Sequence, residues 1–359
     1  MKVLYYSPSF ENEKSSGGVV IRKRNLRLLK TLVGEENESI SVYISPCSRI
    51  QRHTEILRKA VGVNIFPQRD LQLLAPKADI VFIDGTLHGA FSRSFLQKHR
   101  IIAFFHNVEY DYFCQEQQPP DRLLNKLKFK SKKTALYHYE NRICRYSDHI
   151  ITLNQRDSDR LKQLYGRGSD LILPTSMDDS YTENSGNPEN LTEFQPYLLF
   201  IGSDFFGNTE GLFWFCDQCM PAIRAHLIVA GKGMDKYKDL YSPDQISFYG
   251  YTDDLTTLYR NAAAVVLPII SGCGMKTKTC EAMMYGKVIF GTGEGFEGYQ
   301  RSEDCILCEN SKEFIEKINA YLEEGPRYFS SKNRALYLEN YESNVVARKF
   351  YDFFSGVRG

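Results

Sequence analysis

The chain has 359 residues, 42% hydrophobic and 25% charged, which suits about two globular domains of roughly 150 residues each. No run of about 18 uncharged apolar residues occurs, and residues 1–7 lack the basic and apolar regions of a secretory leader, so neither a membrane-spanning helix nor a signal peptide is expected. The net charge of +1 hides an asymmetry: residues 1–175 hold 28 Lys and Arg against 18 Asp and Glu, a net of +10, and residues 176–359 hold 17 against 26, a net of −9. Halves of opposite sign point to two domains with different duties, the basic one facing something anionic such as a membrane surface, a lipid phosphate or nucleic acid.

Short apolar runs at residues 3–6, 40–44, 80–83, 101–105 and 150–153 are β-branched or aromatic on both faces, as buried parallel strands require. Helical patterns separate them, for example over residues 20–32, so βαβ units and a doubly wound parallel sheet are expected. Residues 177–196 turn polar and rich in Asn, Ser, Gly and Pro, and read as a linker. Strand-like runs resume at 197–202, 227–230, 246–249, 263–267, 288–290 and 305–307, predicting a second α/β domain, and residues 342–354 read as an amphipathic helix. Nine cysteines give an odd count. Cys216 and Cys219 have no second pair to complete a zinc set and lie in an apolar stretch, so they are expected to be reduced core thiols of a cytoplasmic protein.

In open α/β sheets a ligand sits at the carboxyl ends of the strands, where loops and helix N-termini converge, and with two such domains it is expected in the cleft between them. The loop after the run at 263–267 is the richest in chemistry. It reads Ser271-Gly-Cys-Gly-Met-Lys-Thr-Lys-Thr-Cys-Glu281 and continues to Gly286. Backbone N–H groups at such a turn attract an anion. Cations at a helix start oppose the helix dipole, so Lys276 and Lys278 are expected to serve a ligand such as a diphosphate. Glu281, one turn further in, can accept hydrogen bonds from ribose hydroxyls. On these residues alone, a plain strand-loop-helix with solvated lysines remains the alternative.

The longer string, with Gly272, Gly274, Lys276, Lys278, Glu281, Ala282, Met283, Gly286, Lys287, Thr292, Gly295, Glu297 and Gly298 in place, resembles the donor-binding motif of GT-B glycosyltransferases of the retaining family 4 type (glycosyl transferases group 1). The stretches from Tyr197 to Ser203, from His226 to Gly233 and from Phe248 to Tyr251, the early Gly17-Gly18 loop with Arg22, and His106-Asn107-Val108-Glu109 resemble other parts of the same family. The resemblance implies two Rossmann-like doubly wound α/β domains facing a central cleft: an acceptor-side domain over residues 1–176, the linker at 177–196, a donor-binding domain over 197–340, and a C-terminal helix at 341–359 packing back on the first domain.

The resemblance also implies site residues: His106, Lys276 and Glu281 for catalysis, and Gly17, Gly18, Ser203, Lys232, Tyr251, Gly274, Met275, Lys276, Thr277, Lys278 and Glu281 for the donor. Asn107 and Glu109 are implied for the acceptor. No metal and no cofactor are implied, the donor being a UDP-, GDP- or dTDP-sugar. The Asp178-Asp179 and Asp253-Asp254 pairs are not spaced as D-x-D and read as helix or loop starts. Two departures stand out. Many family members have a Glu eight residues before the position of Glu281, where Cys273 stands here. Many also have an Arg and a Lys in the loop that here reads Ser203-Asp-Phe-Phe-Gly-Asn208, so Lys276 and Lys278 are expected to take over the phosphates.

The expected activity is therefore sugar transfer, with retention, to a glycan or lipid-linked glycan in cell-surface polysaccharide or lipopolysaccharide synthesis. A sugar-nucleotide epimerase of the same fold and a non-catalytic sugar-nucleotide-binding protein are the alternatives. The stretch from Arg122 to Lys133 mixes six basic residues with Leu and Phe, so an anionic membrane surface is a further expected partner, placing the protein peripherally on the inner face of the membrane, with a solvated basic helix as the bland reading. No nucleic-acid partner is expected, because no recognisable module accompanies the charge.

Overall fold

The computed structural model describes residues 1–8, 17–34, 40–45, 74–86, 91–116, 123–181, 196–252 and 255–357. The chain divides into two units, Met1–Pro174 with Ala347–Gly359, and Thr175–Val346. Of the segment 177–196 read as a linker, residues 182–195 lie outside the described residues. Within the second unit Met177 forms a parallel bridge with Glu342, and Asp179 pairs with Arg334 at 2.5 Å.

The first unit is built on a parallel sheet of β1 (Val3–Pro8), β2 (Ile40–Ser45), β3 (Ile80–Asp84), β4 (Ile101–Phe105), β5 (His149–Thr152) and β6 (Leu171–Ile172), in the order β2-β1-β3-β4-β5-β6. Every residue of β3 and β4 is buried, which explains their unbroken apolar runs: helices cover both faces, so no position is left for a polar residue until the strand ends. Asp84 is that end residue in β3, and His106 follows β4 directly. Helix Gly17–Val33 follows β1, and helix Leu123–Tyr146 sends Leu136, Tyr139 and Ile143 into the core.

The second sheet is β7 (Tyr197–Ile201), β8 (His226–Ala230), β9 (Ile246–Tyr249), β10 (Ala264–Leu267), β11 (Ile289–Gly291) and β12 (Cys305–Leu307), in the order β12-β11-β10-β7-β8-β9. All pairings are parallel. The strand order reverses between β7 and β10, the switch point at which an open α/β sheet leaves a crevice beyond its carboxyl ends. Helix Phe206–Gln218 follows β7 and helix Thr277–Met284 follows β10, so both helices start beside that point. Cys216 and Cys219 are buried free thiols in and just after the first of these helices.

Candidate functional site

At the switch point of the second unit, helix Phe206–Gln218 packs hard against the end of β10 because residue 211 is glycine. A Cβ there would lie 1.7 Å from the Pro268 carbonyl oxygen. The chain then turns through Gly272 at φ +140 and Gly274 at φ +65, conformations open to glycine and strained for other residues, and enters helix Thr277–Met284. This geometry brings Lys276 and Lys278 to the mouth of the crevice by different routes.

Lys276 stands at the N-cap position and offers the helix no side-chain cap. Its Nζ donates to Glu294 Oε1 at 2.7 Å and to the carbonyls of Gly274 at 3.0 Å and Cys273 at 3.2 Å, so the ammonium folds back over its own loop. Lys278 reaches the other way. Its Nζ donates to Asn208 Oδ1 at 2.6 Å and lies 4.5 Å from the centre of the Phe200 ring. Asn208 in turn donates to the Ser203 carbonyl at 2.9 Å, so the loop after β7 and the helix after β10 are tied through one amide. A Cβ on Gly202 would come within 3.0 Å of Lys278 Nζ, so the glycine clears the space for the ammonium. Burial pushes Lys278 down to about 7, the Lys276 charge adds to that, and Glu281 pulls the other way.

Glu281 follows Lys278 on the same face of the helix. Its Oε2 accepts from the Tyr259 hydroxyl at 2.8 Å, and the Tyr259 ring stacks on Tyr285 at 4.7 Å. Burial pushes Glu281 up to about 7, against the Tyr259 hydrogen bond and the Lys278 charge. Burial thus disfavours the charged form of both groups on this helical turn. Of the other residues expected to hold the donor, Gly274 and Met275 are buried, Thr277 opens the helix, and Ser203 is tethered through its carbonyl. Lys232 is exposed, and its carbonyl takes the Asp204 N–H at 2.9 Å. Tyr251 is 61% exposed beyond β9. Sequence reading passed over Glu294, Asn208 and Tyr259 as site residues.

In the first unit, His106 is buried and its Nε2 lies 2.5 Å from Asp84 Oδ1. Asp84 has no solvent exposure. Its Oδ2 accepts from the Tyr5 hydroxyl at 2.5 Å, and both oxygens accept from Asn25 Nδ2 at 3.1 Å. Burial works to raise the Asp84 carboxyl, and the His106 ring, Tyr5 and Asn25 outweigh it, holding it below its usual range. Gly18 borders the ring: a Cβ on it would sit 3.9 Å from His106 Nδ1 and 3.3 Å from Arg22 Nη1. Gly17 starts the same helix. Asn107 is half-buried beside His106, and Glu109 is buried at the start of helix Glu109–Glu116. That helix is capped by Glu140, whose carboxylate takes the Glu109 and Tyr110 N–H groups at 2.9 Å. Asp84 was not foreseen, although a carboxylate ending an otherwise apolar buried strand is a readable signal.

Among the described residues no three His, Cys, Asp or Glu side chains are grouped to hold a metal ion, and no helix is long and apolar enough to cross a membrane. Asp253 and Asp254 lie outside the described residues, as does Arg122 of the basic stretch. Lys126 and Lys130 of that stretch are exposed, while Phe129 packs on the core and stacks with Phe113 at 5.2 Å.

The two six-stranded parallel sheets with their covering helices are the GT-B glycosyltransferase architecture. The solved structure of Anabaena Alr3699/HepE in complex with UDP is similar over 99% of this chain and 100% of that one, with a TM-score of 0.66 and 13% identity. WaaG, a glycosyltransferase involved in lipopolysaccharide biosynthesis, is similar over the same shares, with a TM-score of 0.65 and 17% identity. Residues 195–324, which hold β7 to β12 and the lysine loop, match the family model described as Glycosyl transferases group 1. A curated relative, an uncharacterized 44.6 kDa protein in the cps region of Klebsiella pneumoniae, is 22% identical over 209 residues, covering 49% of this chain and 54% of that protein. The chain thus spans about half the length of the curated relative that it matches.

Proposed function

We propose that this chain is a retaining glycosyltransferase of the family 4 type that moves a sugar from a nucleotide-linked donor to a glycan or lipid-linked glycan. The observation that carries the reading is that one helix start at the switch point holds Lys276 and Lys278, close enough for the Lys276 charge to act on Lys278, with Glu281 a turn further in. In this reading the diphosphate enters between the two ammonium groups, and Gly274, Met275 and Thr277 bring backbone to it. Lys276 exchanges Glu294 for phosphate oxygens. Lys278, whose charged form burial disfavours, is held protonated by the new negative charge. The two ammonium groups then stabilise the charge that grows on the leaving diphosphate. Glu281 accepts from the ribose hydroxyls. Ser203, Lys232 and Tyr251 border the nucleotide, and Gly17 and Gly18 approach its phosphates.

In the same reading His106 positions the transferred sugar. The leaving phosphate itself helps deprotonate the acceptor hydroxyl, so no protein nucleophile is needed. Asn107 and Glu109 lie on the acceptor side, and the basic stretch at 122–133 rests on an anionic membrane surface, at the cytoplasmic face. UDP-glucose is the first donor to test, because structures similar to this one hold UDP and UDP-glucose. GDP- and dTDP-sugars follow.

The deciding experiment measures nucleoside diphosphate released from each sugar nucleotide with and without a lipid-linked glycan fraction. Acceptor-dependent release, lowered on the order of 10²–10³-fold by Lys278→Ala, is the expected result. Donor sugar that changes configuration without any acceptor would instead establish an epimerase.

A further inference from the structure

We infer that Asp84 is a positioning residue for His106: it binds the ring's Nε2–H, so that Nδ1, the nitrogen bordered by Gly18, is the acceptor offered to a sugar hydroxyl. The inference rests on the reading of His106 as a sugar-positioning group.

The hydrogen-bond directions follow from groups that can only donate. The Arg24 guanidinium has no acceptor, and its Nε and Nη2 lie 3.1 and 2.9 Å from Asn25 Oδ1. The oxygen of Asn25 must therefore face Arg24, which turns its Nδ2 toward Asp84. Asn25 Nδ2 can only donate, so Asp84 accepts from it on both oxygens; the single Tyr5 hydroxyl hydrogen is shared between Asp84 Oδ2 at 2.5 Å and the Arg22 carbonyl at 3.0 Å, and neither choice places a hydrogen on Oδ1, the oxygen that faces His106. An ionised carboxylate has nothing to donate. The nitrogen of His106 at 2.5 Å must then carry its hydrogen, and the neutral ring keeps its lone pair on Nδ1.

The orientation is held from two further sides. The Phe104 ring meets the imidazole edge-on, at 5.3 Å and 81°. Residue 18 has no side chain, and a Cβ there would stop 3.9 Å from Nδ1, so that position of helix Gly17–Val33 leaves the nitrogen clear, with Arg22 Nη1 bordering the same spot at 3.3 Å. β1, β3 and β4 thus bring Tyr5, Asp84 and His106 together across 79 and 22 residues of sequence, with the carboxylate at the end of β3 and the ring directly after β4. The arrangement has the logic of a base oriented by a buried acid, used here to present an acceptor.

The test is nitrogen NMR of the full chain labelled in histidine, with His106 assigned from the His106→Gln protein. The expected wild-type spectrum has the proton on Nε2 and a pyridine-like Nδ1 once the ring is neutral. A neutral ring protonated on Nδ1 would overturn the inference without any variant. In Asp84→Asn, the amide oxygen is drawn to Tyr5 and Asn25 and the NH₂ faces the ring, so the tautomer is expected to reverse. With donor and acceptor supplied, kcat should then fall about 10- to 100-fold at little change in donor KM. His106→Gln should fall as far, and the double variant no further. Losses that multiply in the double variant, or an unchanged tautomer in Asp84→Asn, would also refute it. A chain with the expected tautomer but no transfer from any sugar nucleotide would sink the glycosyltransferase reading instead.

Discussion

Asp84 in the first unit and Glu281 in the second are both carboxylates largely removed from water, and they end on opposite sides of the ordinary carboxylate range. Burial pushes Glu281 up to about 7, because one phenol, Tyr259, and an ammonium whose own charge burial disfavours are all that oppose it. Asp84 is held below its usual range by the His106 ring, Tyr5 and Asn25 acting together against burial. Glu140 separates the two effects. It takes two backbone N–H groups and the Tyr165 hydroxyl, yet burial still pushes it up to about 7. Three hydrogen bonds do not offset desolvation there, and the nearby Asp111 charge adds to it. The first unit therefore holds a fixed ion whose task is orientation. The second holds a loosely compensated pair, Lys278 and Glu281, whose charge a ligand can complete.

That contrast can be broken most forcefully at Asp84. Asp84→Ala strips a carboxylate from three buried donors and should cost about 3–5 kcal/mol of stability by urea unfolding. Glu281→Gln keeps the shape of a group that burial already drives toward neutrality, and should cost less than about 1 kcal/mol. Its sign depends on pH. The folded value of Glu281 is raised, so the stability it contributes is full below its ordinary 4.5 and is lost as pH rises through about 7. The Gln variant should match the wild type at low pH and gain on it above 7.

Next in size is Lys278→Ala, with the turnover loss given above, about 2.7–4 kcal/mol of transition-state stabilisation. Its folded value is lowered from 10.5 to about 7, so the cost of burying the charged ammonium is full below 7 and is relieved as pH rises toward 10.5. Lys278→Met should therefore be more stable than wild type in acid and lose that advantage in alkali, while binding nucleotide worse throughout. A smaller effect is expected for Glu281→Gln on nucleotide affinity, about 10-fold, because a neutral amide accepts more weakly from the ribose hydroxyls.

The smallest effect is the pH profile of nucleotide binding. Affinity should peak near 7, falling in acid as Glu281 takes up a proton and in alkali as Lys278 loses one, by at most about tenfold per pH unit on either limb. Titration calorimetry in two buffers checks it. Proton uptake on binding should vanish from the alkaline limb in Lys278→Met.

Most of the fold was legible because buried parallel strands leave no room for polar residues: the runs at 80–83 and 101–105 fall on β3 and β4. Boundaries moved by a residue or so, and β6 was missed because two half-buried residues carry no period. Lys276, Lys278 and Glu281 could be singled out because they lie close together in sequence at one helix start. Their partners were not. Glu294 is 18 residues from Lys276, Asn208 is 70 from Lys278, and Asp84 is 22 from His106. Those pairs exist only because the strand order puts β10 between β7 and β11, and β3 between β1 and β4. Hydrophobic periodicity identifies strands without ordering them, so it cannot say which loops will meet.

Thermal unfolding of the full chain with UDP-, GDP- and dTDP-sugars tests the proposed donor site at residues 271–298 most directly. At least one of them should stabilise the wild type by about 2.7–4 kcal/mol at 100 to 1,000 times its dissociation constant, and the gain should collapse in Lys278→Ala. A wild-type transition that no sugar nucleotide moves at millimolar concentration would contradict the account.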